Sequence, residues 1–290
     1  MPISIRPLTP AFGAEITHVD LTRPLDAATF AEVENAFETY SVLVFPKQHL
    51  TDESQITFSS RFGALETTQG HIANNFQVKQ ISEISNLDPS GKLMAADDPR
   101  LIYRIGQRNW HSDSSFKRVP AKASLLHARR LPPNSNECGQ TQFASLRAAY
   151  DALPESRKRE IENMAAIHHY AYSRRNTGIQ LTNEEEDKRF PPVPQALVRA
   201  NPVNGRKALY VGSHASHIRE LPEEQGRALL AELLEHATRE AFTYMHHWQV
   251  GDLVMYDNRA ALHRARPYAI TEHARILHRT TVAGAGPTVQ

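Results

Sequence analysis

The residues best placed to do chemistry lie in Asn109-Trp110-His111-Ser112-Asp113-Ser114-Ser115-Phe116. In an extended backbone, side chains two apart project to the same face, so the His111 imidazole and the Asp113 carboxylate converge while Trp110 and Ser112 turn away. One nitrogen and one oxygen make half a metal site. The other half is offered far downstream by Gly251-Asp252-Leu253-Val254-Met255-Tyr256-Asp257-Asn258-Arg259-Ala260-Ala261-Leu262-His263. There a Gly-Asp turn, a short apolar run and an Asp-Asn-Arg turn lead to a single histidine. Two histidines and one carboxylate on one face of an iron leave the opposite positions open, which is the donor set of non-haem Fe(II) oxygenases. A His-x-Asp pair alone carries little weight, because His18-Val19-Asp20 has the same spacing. The company of His111 and Asp113 separates the two pairs: the Trp-His-Ser-Asp-Ser-Ser-Phe context, Thr141 further on, and a distal His263 followed by Arg275 and Arg279.

Those residues need a scaffold. A chain of 290 residues with 40% hydrophobic and 22% charged residues reads as one ordinary globular domain spanning 1–290. Residues 3–22 alternate like a strand pair, and Asp26 precedes a helical pattern of Phe30, Val33 and Phe37. Val42-Leu43-Val44-Phe45 reads as a strand buried on both faces, and Thr51 as the N-cap of a second helix that stops at Gly63. From Ala64 to Arg108 the pattern lapses except around 80–85. That stretch (65–108) and the polar 172–196 read as loop insertions, either covers over a site or plain surface. Later come strands at 123–128 and 140–143, helices within 144–164, a hairpin around Asn204-Gly205, a helix opened by Pro222 with its stripe of Leu229, Leu230, Leu233, Leu234 and Ala237, and a strand-rich 242–282. Many short strands with helices in separate blocks point to a mainly β fold with flanking helices, a sandwich or jelly roll, over a doubly wound sheet.

Composition also excludes partners. A formal net charge of +1 supplies no pull toward nucleic acid or an anionic membrane, and no run of eighteen apolar residues is available to span one. The first residues lack a signal-peptide core, and the lone Cys138 cannot form an intrachain disulfide, so a reducing cytoplasm is expected.

Longer blocks carry a family likeness. Gly13-Ala14-Glu15-Ile16, Ser41-Val42-Leu43-Val44-Phe45, Arg61-Phe62-Gly63, the His111 segment, Arg147-Ala148-Ala149-Tyr150-Asp151-Ala152-Leu153-Pro154 and Gly251-Asp252-Leu253-Val254 together resemble the taurine/2,4-D dioxygenase family of Fe(II)/2-oxoglutarate-dependent oxygenases. Gly212-Ser213-His214-Ala215-Ser216-His217 and Leu229–Thr238 are similar to its 2,4-dichlorophenoxyacetate branch. The resemblance implies a double-stranded β-helix, Fe(II) held by His111, Asp113 and His263, and 2-oxoglutarate and O2 as cosubstrates. It implies that Thr141 and Arg275 hold the far carboxylate of 2-oxoglutarate, for which a guanidinium fork is well shaped. Arg279 then binds the anionic end of a small organic substrate. Arg279 lies four residues beyond Arg275, an even spacing that puts both on one strand face. The family's Gly-Gly-Asp-Thr is Cys138-Gly139-Gln140-Thr141 here, and His263 to Arg275 is one residue longer than in the 2,4-D branch.

His214 and His217, in the block similar to the 2,4-D branch, are weaker candidates for lining the site or supporting its ligands, each equally readable as a hydrogen-bonded structural histidine, and the resemblance places His71 among the substrate-contacting loop residues. The reaction implied is hydroxylation of an aryloxyalkanoate or related carboxylate with release of succinate and CO2; a taurine-like sulfonate is the alternative substrate. A zinc hydrolase could use the same three ligands but has no need of Arg275 and Thr141. A non-catalytic binding protein on the same scaffold is expected to have lost a ligand, and none is missing. Family members commonly form dimers or tetramers, so a homo-oligomer is expected.

Overall fold

Val42-Leu43-Val44-Phe45 is apolar at every position because both of its faces are covered. In the computed structural model, which describes residues 2–67, 78–133, 135, 137–175 and 188–289, this run is a middle strand of the largest sheet. That sheet has the order β1 (Ser4–Pro7), β2 (Ala14–Thr17), β3 (Val42–Phe45), β13 (Leu253–Asp257), β5 (Ala123–Arg130), β15 (Ile276–Val282) and β4 (Ser82–Ser85). A smaller sheet has the order β12 (Thr243–His246), β6 (Thr141–Ser145) and β14 (Ala261–Ala265). Between the two sits an apolar cluster including Val44, Leu126, Phe143, Trp248, Val254, Tyr256, Ala261 and Leu277. The chain alternates between the sheets: β5 passes to β6, and β13 to β14 through Asp257-Asn258-Arg259-Ala260. This is the interleaving of a jelly roll. Two further small sheets, β11 (Ala215–Ile218)–β7 (Ala165–His168)–β8 (Val193–Ala196) and the hairpin of β9 (Val198–Ala200) with β10 (Lys207–Leu209), stand beside them.

Helices buttress the outside. Asp26 accepts from Thr29 N and opens Ala27–Tyr40, and Thr51 and Ser54 form a reciprocal capping box at Asp52–Ser60. Both pack Val33, Phe37, Phe58 and Phe62 on the outer side of the large sheet. Glu223–Ala237, opened by Pro222, buries Leu229, Leu230, Leu233 and Ala237. Gly205 takes the left-handed conformation, φ 71°, that the Asn204-Gly205 turn requires. One element departs from the sequence pattern. Pro99–Ile105, within a stretch read as polar and irregular, is a helix capped by Asp98 with Pro99 in its first turn. It escapes a periodicity argument because it is seven residues long and buries only Leu101. No helix among the described residues is long and apolar enough to cross a membrane.

Candidate metal centre

His111 and His263 are joined by the backbone. His111 N donates to His263 O at 3.0 Å and His263 N to His111 O at 2.9 Å, a single antiparallel bridge at the edge of the small sheet. Residues directly opposite in such a pair share a face, so their ring centroids lie 4.1 Å apart. Asp113, two residues on, brings its carboxylate to the same point. One ligand atom from each of His111, Asp113 and His263 falls within 4.8 Å of the others.

The carboxylate is held from every side. Asp113 Oδ2 accepts from Ser124 Oγ at 2.7 Å and from Tyr256 Oη at 2.8 Å, while Oδ1 accepts from Arg279 Nη1 at 2.6 Å. Asn258 closes a ring of hydrogen bonds: its Oδ1 accepts from Asp113 N, and its Nδ2 donates to Ser124 Oγ. The Asp-Asn-Arg turn is fixed in its own right, with the Arg259 guanidinium on Asp257 and Glu38 and Arg147 on Asp257. Expected as a turn that aims His263, it also supplies Asn258 to the metal carboxylate. Ser124, Tyr256 and Asn258 carry no signal in the sequence, because their partner lies 11, 143 and 145 residues away.

Protonation matches a metal ligand set. Burial, helped by the neighbouring His111, pushes His263 down to about 3, and burial lowers His111 as well. Both imidazoles are therefore neutral at pH 7, the form that donates a lone pair. Burial alone would raise Asp113, but Arg279 and the two histidines override it and hold the carboxyl well below its usual range. His111 Nδ1 lies 2.8 Å from Asn109 O, which leaves Nε2 as its donor atom. Buried His263 Nδ1 has no hydrogen-bonding partner among the described residues. Two neutral nitrogens and one anionic oxygen, enclosed and convergent, fit a divalent iron. Tyr256→Phe is expected to weaken Fe(II) or Mn(II) binding about 10–100-fold by freeing one side of the carboxylate. Equilibrium metal titration checks this; an unchanged affinity would show that Tyr256 does not position Asp113.

A cavity opens over His111 and Asp113. It is lined by Arg279, Phe116 and His214, by Glu66 and Lys117, and by Tyr103 and Arg104 of Pro99–Ile105. The sequence-derived residues divide as follows. Arg279 reaches the metal carboxylate. Arg275 lies one residue before β15 and has partners of its own. Its N–H donates to Asn86 Oδ1 and its Nη2 to Gly139 O. That places it beside the start of β6, where buried Thr141 accepts from Trp248 Nε1 at 3.0 Å. Arg275 thus lies in a neighbouring cavity that shares Ile84, Arg104 and Gln107 with the first. His214 is buried against Phe116, ring centroids 5.0 Å apart. His217 is outside the cavity, half-buried, with Nδ1 near Ser216 Oγ. His71 lies outside the described residues.

Residues 4–281 match the family described as "Taurine catabolism dioxygenase TauD, TfdA family". The chain belongs to the TauD/TfdA family. It is 41% identical over 287 residues, covering 97% of this chain and 98% of the relative, to the alpha-ketoglutarate-dependent 2,4-dichlorophenoxyacetate dioxygenase of Cupriavidus pinatubonensis. It is 37% identical over 290 residues, 97% and 94% of the two chains, to the (S)-phenoxypropionate/alpha-ketoglutarate-dioxygenase of Sphingobium herbicidovorans. The crystal structure of AAD-2 with Mn(II) and N-oxalylglycine superposes with a TM-score of 0.91 at 43% identity over all of both chains. Membership in the TauD/TfdA family makes this protein a 2-oxoglutarate-dependent dioxygenase, with Fe(II) as its metal and 2-oxoglutarate and O2 as cosubstrates.

Proposed function

We propose that this dioxygenase hydroxylates a small organic anion, an aryloxyalkanoate or related carboxylate, and that Arg279 binds its acidic end. The observation that carries this reading is the Arg279 guanidinium, 2.6 Å from Asp113 Oδ1 inside the cavity that His111 and Asp113 line. A carboxylate arriving there would meet a charge already desolvated and aimed. Phe116 and His214 would flank an aromatic ring, the arrangement expected of an aryloxy acid. Arg275 and Thr141 would hold the far carboxylate of 2-oxoglutarate, a role supported by their common position at the start of β6. Bound Fe(II) with O2 and 2-oxoglutarate supplies the oxidising power, yielding succinate and CO2 as one oxygen atom enters the substrate. The protein's own share is positioning: Arg279 fixes one end of the substrate, so that the carbon beside its carboxylate faces the metal, and the cavity walls limit water. For an aryloxyacetate, hydroxylation there gives a hemiacetal that collapses to a phenol and glyoxylate.

A sulfonate would also pair with Arg279; the 2,4-dichlorophenoxyacetate and phenoxypropionate specificities in the names of the two relatives favour a carboxylate. The reading takes residues 1–290 as one catalytic domain, supported by the family match over 4–281, and places it in the cytoplasm as a homo-oligomer, as the lone Cys138 and the family resemblance suggest. The test is succinate formation by Fe(II)-loaded protein against phenoxyacetates, other carboxylates and sulfonates, with His111→Ala as control. Turnover with aryloxy acids that vanishes in the control is the expected result. Turnover confined to sulfonates would overturn the substrate class.

A further inference from the structure

We infer that Gln195, locked by Thr288, is a positioning residue for the substrate cavity, and that it sets Phe116, Lys117 and His214 from outside. The inference rests on the reading of this cavity as the substrate site. Gln195 belongs to β8, a strand of a different sheet from either His111 or His263, and it is completely buried. Its Nε2 donates to two backbone carbonyls at once, Ser115 O at 3.0 Å and Lys117 O at 2.8 Å. The two carbonyls straddle Phe116, so one amide grips the chain on both sides of the ring that lines the cavity.

What it grips is a strained turn. Ser114, the residue after the metal carboxylate, has φ 55°, a left-handed conformation that a serine adopts only when its surroundings over-determine it. Lys117 N closes the turn on Ser114 O at 2.9 Å. The side chains of this turn reach the cavity wall. Ser115 Oγ lies 3.1 Å from His214 Nδ1, which commits that nitrogen and leaves Nε2 as the other ring atom. Ser114 Oγ and Lys117 Nζ both donate to Glu66 Oε2, at 2.8 and 2.6 Å. Phe116 packs on His214 and Tyr170.

The amide itself cannot turn. With both N–H donors engaged, its Oε1 must accept, and Thr288 Oγ1 donates to it at 2.5 Å while accepting from Ala196 N at 2.9 Å. A side-chain amide with both donors and its acceptor occupied is fixed in one orientation. Thr288 therefore reaches the cavity through two hydrogen bonds, Thr288 to Gln195 and Gln195 to the turn, without touching either the metal ligands or Arg279.

The test uses the full chain with Gln195→Met, which keeps the length but removes both donors, and Thr288→Val, which removes only the lock. Two measurements are made: hydrogen–deuterium exchange of the 112–118 segment, and the KM, kcat and ratio of succinate to hydroxylated product for an aryloxy acid. Expected is faster exchange in 112–118 with Glu223–Ala237 unchanged, and a KM raised about tenfold in Gln195→Met, about what one or two lost neutral hydrogen bonds convert to. Thr288→Val should show a smaller effect in the same direction, kcat should fall less than KM rises, and more succinate should form per product. Unchanged exchange in 112–118 overturns the inference whatever the substrate is. Faster exchange with KM and the product ratio unaltered also overturns it, because the turn would then not govern the substrate. Faster exchange in a protein whose wild type oxidises no aryloxy acid supports the grip on the turn and counts against the substrate class alone.

Discussion

Asp113→Asn is expected to abolish tight Fe(II) binding and to lower 2-oxoglutarate turnover by on the order of 10³ or more, a larger loss than the 10–100-fold that removal of an outer partner costs. The substitution preserves shape, so Ser124 and Tyr256 can still donate to an amide oxygen and the bridge between His111 and His263 is untouched. What it removes is charge. Two neutral imidazoles and a neutral amide bind a divalent ion far more weakly than a set including a carboxylate. The carboxylate is also the anion that Arg279 faces at 2.6 Å, so with the amide oxygen turned to Ser124 and Tyr256, the amide NH2 meets that guanidinium donor against donor. Loss of one member of such a pair is destabilising where the pair is desolvated, although the cavity gives Arg279 some access to solvent. The prediction is checked by anaerobic Fe(II) titration and by succinate release, with thermal unfolding alongside to establish that the variant is folded. A folded Asp113→Asn protein that binds Fe(II) as tightly as wild type and still releases succinate would remove Asp113 from the ligand set.

The three ligands were legible because their geometry is local or directly paired. A two-residue spacing places Asp113 beside His111 in any extended segment, and a turn before a strand delivers His263. The fold class was legible for a similar reason: a wholly apolar Val42–Phe45 demands cover on both faces, and Asp26 and Thr51 announce their helices with side-chain oxygens. Legibility failed wherever an outcome depends on another strand. The two arginines end on different partners, Arg279 on Asp113 and Arg275 on the Gly139 carbonyl, while Asn86 captures the Arg275 N–H. Nothing in the spacing of residues 275–279 encodes either partner. The surroundings of Asp113 were invisible for the same reason. Tyr256 looks like one more apolar residue of a buried strand, and only the folded sandwich shows that its hydroxyl ends on a metal ligand. His217 shows the opposite failure: it shares a sequence block with His214, yet only His214 lines the cavity.

Metal-free protein is expected to lose about 5 kcal/mol of stability between pH 6.5 and 4.5, an amount comparable to the whole margin of about 5–15 kcal/mol that holds a typical fold. The source lies away from the metal ligands, in two histidines kept neutral by packing. His168, stacked on Tyr210 with ring centroids 5.2 Å apart, is pushed down to about 3 by burial and then by Arg199, against a hydrogen-bonding contribution from Tyr210. His127, whose Nε2 lies 2.7 Å from Gln48 O, is pushed down to about 4 by burial, and Arg129 and His278 add to that against the Gln48 carbonyl. In the unfolded chain both titrate near the usual histidine value of about 6.5. Between that value and the folded ones the unfolded state binds more protons than the folded state, so acid favours unfolding. Each histidine contributes about half of 1.4 kcal/mol per pH unit at pH 6.5 and nearly all of it a unit lower, so two histidines over the two units give somewhat more than about 4 kcal/mol, close to the figure above. The depressed Asp113 begins to contribute only at the lower end of this window, and the lowered His111, His214 and His263 add to the loss in the same direction, so the two-ring figure is a lower bound. Urea unfolding at a series of pH values measures the slope directly, and His168→Phe, which keeps a ring against Tyr210, should remove about half of the two rings' share, roughly 2 kcal/mol, even if it changes stability at pH 7. A wild-type stability that stays flat from pH 6.5 to 4.5 would mean that these two rings take up protons in place, and that the packing around them opens more readily than their burial implies.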